Sequence, residues 1–162
     1  MKLCNAEIMK KVKLLEQEKS DILAEERRIH TVTYQTENDK FDNGYNFAET
    51  RSKIDAIDTE IRKYKRLLNL SNATTMVEEF GMTLGECLVY MAQLNRQVYT
   101  LEMMASQEPL TRRSTVNGVI EYTALNYNKA ECKAKLQWVL ETVAKLQVAI
   151  DRTNLTNMIE LT

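Results

Sequence analysis

The only proline of the chain, Pro109, stands at the head of Glu108–Tyr127, EPLTRRSTVNGVIEYTALNY, a stretch that interrupts an otherwise helical pattern. A proline inside a helix removes a backbone bond and kinks or breaks the helix, and an Asn-Gly pair supplies the positive φ of a tight hairpin turn. Apolar residues at three-four spacing run up to this stretch and resume after it. A fold built on this chain therefore has long helices with an arm between two of them. The expected hairpin is a strand over Thr111–Val116, a two-residue turn at Asn117-Gly118, and a strand over Val119–Thr123.

The helical reading rests on periodicity. Ile8, Val12, Leu15, Ile22 and Ile29 place a first helix over residues 6–29. Ile54, Ile57, Ile61, Tyr64 and Leu68 form an a/d seam in a second helix from Phe47 to Leu70. Leu84, Leu88, Met91, Leu94, Val98 and Leu101 mark a third helix. Thr83 and Glu86 form its capping box, and it ends near Ser106. Cys132, Leu136, Val139, Val143, Leu146 and Ile150 mark a fourth, from Asn128 to Asp151. Trp138 and Leu140 lie off that seam and predict a second packed face. The methionines around the third helix read as core filling. With only 4 Gly and 1 Pro in 162 residues, turns are few, and the class is mainly α with small β arms.

Between the first two helices the pattern changes. His30-Thr31-Val32-Thr33-Tyr34 is β-branched and aromatic and predicts a short strand. Gln35–Gly44 is polar and predicts a loop closing on Asp42-Asn43-Gly44. Helix, arm, helix and polar cap thus describe residues 1–74 and again 75–162, within one helical domain. Arg27-Arg28 matches Arg112-Arg113, Tyr45-Asn46 matches Tyr127-Asn128, and Leu68–Thr74 matches Ile150–Thr156. Such a repeat predicts two antiparallel helical hairpins with both arms at one end. Apolar positions on more than one helix face, together with unburied arms, predict a homo-oligomer.

Leu68-Asn69-Leu70-Ser71-Asn72-Ala73-Thr74, then Gly81-Met82-Thr83-Leu84 with Glu86 and Leu88, then Ile120-Glu121-Tyr122, then Ile150-Asp151-Arg152-Thr153-Asn154-Leu155-Thr156, occur in that order. Together they resemble the septicolysin-like family of small helical bacterial and phage proteins, over roughly residues 50–160. The resemblance implies helices with a coiled-coil seam and an oligomer. It supplies no catalytic residues. The family name implies a membrane-active toxin, but no strongly apolar helix face supports that here.

Charge and motifs narrow the function. The net charge is −1, with 22 basic and 23 acidic residues, which disfavours binding to a nucleic-acid polymer. No apolar run has the length of a membrane span, and the N-terminus has lysines where a signal peptide needs an apolar core. The three cysteines, Cys4, Cys87 and Cys132, are unpaired by spacing and fit a reducing cytosol. No spacing predicts a metal site or a cofactor, and Asp39, Asp42 and Asn43 lack the acidic twelfth position of a calcium loop. His30, the only histidine, has no nucleophile at a defined spacing, so no catalytic residue is assigned.

The candidate ligand-binding residues are Arg112, Arg113, Ser114, Thr115, Tyr122 and Tyr127 on the second arm, with Arg27, Arg28 and His30 on the first. Guanidinium forks hold phosphate or carboxylate, hydroxyls complete an anion pocket, and tyrosines stack on a planar base. Tyr34 and Tyr45 extend the stacking set. This mixture predicts sequestration of a small anionic, nucleotide-like ligand at subunit interfaces. A phage protein of this kind would act as a sponge for a host signalling nucleotide. The same arginines suit solvated ion pairs with Glu108, Glu121 or a partner subunit, which makes a structural or interaction module the alternative. The polar caps Ser71–Thr74 and Arg152–Thr156 are a second candidate pocket, provided they face each other.

Overall fold

The computed structural model describes residues 2–161. Four helices, α1 (Asn5–Ile29), α2 (Phe47–Thr74), α3 (Leu84–Ser106) and α4 (Lys129–Thr156), carry most of the chain. Six short strands, β1 (Lys2–Cys4), β2 (Met76–Val77), β3 (Met82–Thr83), β4 (Leu110–Ser114), β5 (Ile120–Ala124) and β6 (Met158–Glu160), form three antiparallel pairs. The fold is mainly α with small β hairpins. It divides into two compact units, one of the first 74 residues with the segment from Asn154 onward, the other of Thr75–Thr153.

In the first unit α1 and α2 pack antiparallel. Glu26 pairs with Arg51, Lys19 with Asp58 and Glu16 with Lys65, so partners climb along α2 as they descend along α1. Val12, Ile57 and Ile61 are buried between them, with Leu15, Ile22, Tyr64 and Leu68 packed around. Toward the chain ends the seam becomes polar. Asn5 is fully buried; its Oδ1 accepts from the Ser71 hydroxyl at 2.9 Å and its Nδ2 donates to Asn154 Oδ1 at 3.1 Å. Asn157 Nδ2 donates to Ser71 Oγ at 2.9 Å. β1 pairs with β6 beside this network, Lys2 opposite Glu160 and Cys4 opposite Met158.

In the second unit α3 and α4 run antiparallel around Leu84, Cys87, Leu94, Val139, Leu146, Ala149 and Ile150. Met82, Tyr90, Met91 and Val143 pack against that core. β2 and β3 form a minimal hairpin whose turn passes through Gly81 at φ +61°. Thr83 then caps α3: Glu86 N–H donates to Thr83 Oγ1 at 3.2 Å, and Thr83 N–H donates to Glu86 Oε2 at 2.7 Å. Cys4 N–H makes the matching bond to Glu7 Oε2, at 2.8 Å, at the start of α1. Strand, helix, arm, helix, strand thus occurs twice along the chain.

Four expectations are corrected. Thr31–Tyr34 is irregular rather than a strand, because no strand among the described residues pairs with it. α2 and α4 run on to Thr74 and Thr156, past the expected stops at Leu70 and Asp151. Their hydroxyls bond back into the helix, Thr74 Oγ1 to Leu70 O and Thr153 Oγ1 to Ala149 O, rather than turning the chain. The β4–β5 loop is not a two-residue turn. Gly118 N–H donates to Thr115 O at 2.9 Å, Thr115 N–H donates to Val119 O at 2.9 Å, and only Gly118 has positive φ, +73°. That is a three-residue loop, a type I turn closed by a glycine bulge. Finally, Trp138 and Leu140 remain exposed, with Lys135 Nζ 3.8 Å above the Trp138 ring centroid.

Candidate functional site

The two arms are anchored by the same kind of bond, each within its own unit, and differ above it. Tyr45 Oη–H donates to Glu26 Oε1 at 2.7 Å, near the end of α1. Tyr127 Oη–H donates to Met104 O at 2.7 Å, near the end of α3. The next residue is in each case an asparagine that caps the following helix. Asn46 Oδ1 accepts from Glu49 N–H at 3.1 Å, and Asn128 Oδ1 accepts from Ala130 N–H at 2.9 Å. The Tyr-Asn match in the sequence is therefore a shared device: the tyrosine ties the returning chain to the helix it left, and the asparagine starts the next helix. Burial, with the Cys132 thiol nearby, holds the Tyr127 phenol above its ordinary value.

The first arm folds back on α1. His30 Nδ1 lies 2.9 Å from Glu26 O and 3.0 Å from Arg27 O. Carbonyl oxygens only accept, so Nδ1 carries the proton and the ring caps the helix end. Asn43 Nδ2 donates to Ile29 O, another terminal carbonyl. Asp42 Oδ1 accepts from Gly44 N–H at 2.8 Å, and Gly44 turns at φ +73°. These bonds shape a cleft of about 440 Å³ lined by Glu26, Arg27, His30, Tyr45, Phe47 and Arg51. A second concavity of about 340 Å³, with Asp21, Glu25 and Lys53 on its wall, shares Glu26 and Tyr45 with the first.

Within the cleft the charges divide. Arg51 is paired with Glu26, and its guanidinium carbon stands 5.5 Å over the Phe47 ring centroid. Glu26 thus serves both Arg51 and the Tyr45 hydroxyl. Arg51 Nε is shielded from solvent and has no hydrogen-bond partner among the described residues. Arg27 forms no ion pair among the described residues, so it is the uncompensated cation of the cleft. Arg28 is committed elsewhere: Nε and a terminal nitrogen hold both oxygens of Glu25, which keeps the Glu25 carboxyl below its ordinary range.

The second arm is a ribbon. Arg112 lies opposite Tyr122, Arg113 opposite Glu121 and Ser114 opposite Ile120. All ten strand residues are exposed. Successive strand side chains point to opposite faces. One face therefore carries Leu110, Arg112, Ser114, Ile120, Tyr122 and Ala124; the other carries Thr111, Arg113, Glu121 and Thr123. Arg112 and Arg113, adjacent in sequence, cannot close on one ligand from within one ribbon. Thr115 is used by the turn, its hydroxyl donating to Val119 O at 3.0 Å. Tyr127 sits at the base with its hydroxyl occupied, away from the Arg112–Tyr122 pair along the chain.

Of the sequence-assigned residues, the structure thus gathers Arg27 and His30 into a cleft, turns Arg28 to Glu25, and splits the second-arm group between two ribbon faces. The cleft also takes in Tyr45 from the stacking set and adds Glu26, Phe47 and Arg51. Phe47 and Arg51 are one helical turn apart, and that spacing after Tyr45-Asn46 is the signal in the sequence that could have identified them. The polar caps do meet, through Ser71, Asn5 and Asn154, but their groups bond to one another. Among the described residues no group of three or more His, Cys, Asp or Glu is placed to hold a metal ion, and no helix is long and apolar enough to cross a membrane.

No family model and no curated protein matches the chain. One solved structure does: a conserved protein of unknown function from Corynebacterium diphtheriae, 18% identical, aligned over 99% of this chain and 100% of that one, with a TM-score of 0.71. The likeness is one of fold.

Proposed function

We propose that this protein is a non-catalytic binder of a small, planar, anionic molecule of nucleotide type, held in the first-arm cleft. The observation that carries the reading is the composition of that cleft, with Tyr45 and Phe47 rings beside the uncompensated Arg27 and the Phe47-stacked Arg51. Rings offer a stacking surface to a base, and guanidinium groups a fork to phosphate. An arriving anion would compete with Glu26 for the terminal nitrogens of Arg51. Binding without turnover fits side chains already engaged: His30 Nδ1 is spent on the helix end and Arg28 on Glu25. In its most specific form the proposal is sequestration, a sponge for a signalling nucleotide of the kind a phage would deploy. The resemblance to septicolysin-like proteins is compatible with this and adds only architecture.

The test is native mass spectrometry and titration calorimetry of the purified protein against mono-, di- and cyclic nucleotides. A discrete adduct that Arg27→Glu weakens by about tenfold or more supports the cleft, as expected for loss of one charge-assisted contact. No adduct at millimolar nucleotide, or an adduct indifferent to Arg27→Glu, overturns it. The exposed ribbon favours a second reading, an interaction module, which the same spectra address through the oligomer mass.

A further inference from the structure

Among the described residues the β4–β5 ribbon has two free edges, and they are not equivalent. Thr115 N–H donates to Val119 O at the turn, and Leu125 N–H donates to Pro109 O at the base. Hydrogen-bonded pairs alternate along an antiparallel ladder, so residues 119, 121, 123 and 125 aim their backbone groups at β4. Ile120, Tyr122 and Ala124 therefore aim their N–H and C=O groups outward, as Leu110, Arg112 and Ser114 do on the far edge. Leu110, Ile120 and Tyr122 are 61%, 44% and 63% exposed and share one face with Ala124. A two-stranded ribbon with its apolar face and both edges in water is marginal by itself.

We propose that the β5 edge binds a second copy of this chain, β5 against β5, antiparallel about a two-fold axis at Tyr122. The choice of occupant follows from charge and register. Centred on Tyr122, the pairing sets Tyr122 against Tyr122, Ile120 against Ala124 and Glu121 against Thr123, with no like charges opposed. Each Glu121 keeps its own Arg113 across the ladder. The equivalent pairing of β4 would set Arg112 directly against Arg112, and like charges in direct opposition destabilise a sheet. A β4-to-β5 pairing would leave an edge free for a third copy and would not close. The β5 pairing closes as a four-stranded sheet. Its apolar face carries a central row of Arg112, Tyr122, Tyr122 and Arg112, flanked by rows of Leu110, Ala124, Ile120 and Ser114. This inference does not depend on the ligand reading, and either can fail alone.

The test separates the two edges. Tyr122→Pro deletes an outward N–H and no bond of the intrachain ladder, while Arg112→Pro does the same on the other edge. Sedimentation equilibrium of the whole protein is expected to show a dimer for the natural sequence and for Arg112→Pro. For Tyr122→Pro the dimer dissociation constant should rise by about tenfold or more, since each copy loses one edge bond. Tyr122→Cys gives a second readout that keeps the edge intact. A hydrogen-bonded antiparallel pair places its Cα atoms about 5.5 Å apart, within disulfide reach. Mild oxidation should therefore cross-link Tyr122→Cys into a covalent dimer, and should not cross-link Thr111→Cys. A monomeric natural protein at tens of micromolar, a dimer unaffected by Tyr122→Pro, or a Tyr122→Cys protein that stays uncross-linked would each overturn the proposal.

Discussion

The two arms begin alike and end differently. Each leaves a helix, turns through one glycine at φ +73°, returns through a tyrosine that bonds to the helix it left, and starts the next helix at an asparagine cap. Between those points the first arm is tied by side-chain bonds, several of them to the carbonyl end of α1. The second is tied by a backbone ladder. A ladder needs a matching strand, and Thr31–Tyr34 has none, despite its β-branched composition. Intrinsic β preference is weak beside the availability of a partner. The difference has a functional side: side-chain bonding wraps the first arm around a cleft, whereas a ladder holds the second arm out with its edges open.

The largest effect that separates arm from core should come from Leu146→Ala. Leu146 is fully buried in the second-unit core, and its truncation is expected to cost about 2–5 kcal/mol. Val116→Ala at the ribbon tip, where the side chain is wholly exposed, should cost almost nothing. Urea denaturation checks both, and a costly Val116→Ala would mean that the ribbon tip is packed after all.

The next effect tests the shared base. Tyr45→Phe removes a bond to a carboxylate and should cost about 1.5–3 kcal/mol, while Tyr127→Phe removes a bond to a neutral carbonyl and should cost about 1 kcal/mol. Reversal of that order in thermal melts would show that the two tyrosines are not the same device.

Gly44→Ala and Gly118→Ala should each cost about 1 kcal/mol. At both positions an added Cβ meets nothing within 4 Å, so the penalty is one of backbone conformation alone. Unequal costs would expose a constraint on one arm that the other lacks.

The smallest effect concerns pH. Thr83 N–H and its hydroxyl hold the Glu86 carboxyl below the ordinary carboxylate range. A group with a depressed folded value stabilises above its unfolded value and loses that contribution as pH falls through the folded one. The destabilisation by Thr83→Ala, about 1 kcal/mol near neutrality, should therefore shrink below a pH of about 4. Cys4 replaces the threonine at the start of α1 and gives a natural comparison.

Much of the site was legible only as an inventory. Arg27, His30, Arg112, Arg113 and Tyr122 stand out by type, but strand alternation divides Arg112 from Arg113, and a local ion pair removes Arg28. Arg51 is one of several charged residues on α2, and its type alone does not set it apart. Its role comes from Glu26 and Phe47, one brought by antiparallel packing and the other by helical spacing. The hairpin's glycine was readable, yet the turn type was not, because Asn-Gly serves both a two-residue turn and a three-residue bulged loop.

The helix seams, the Thr83–Glu86 cap, the arm positions and the Tyr-Asn repeat were determined by the sequence alone. Each depends on side chains within a turn or two, where spacing and residue type suffice. Tertiary structure decided which arm became a ladder, which arginines share a face, and where a cleft opens. Those outcomes depend on partners distant in the chain, and local spacing carries no information about them.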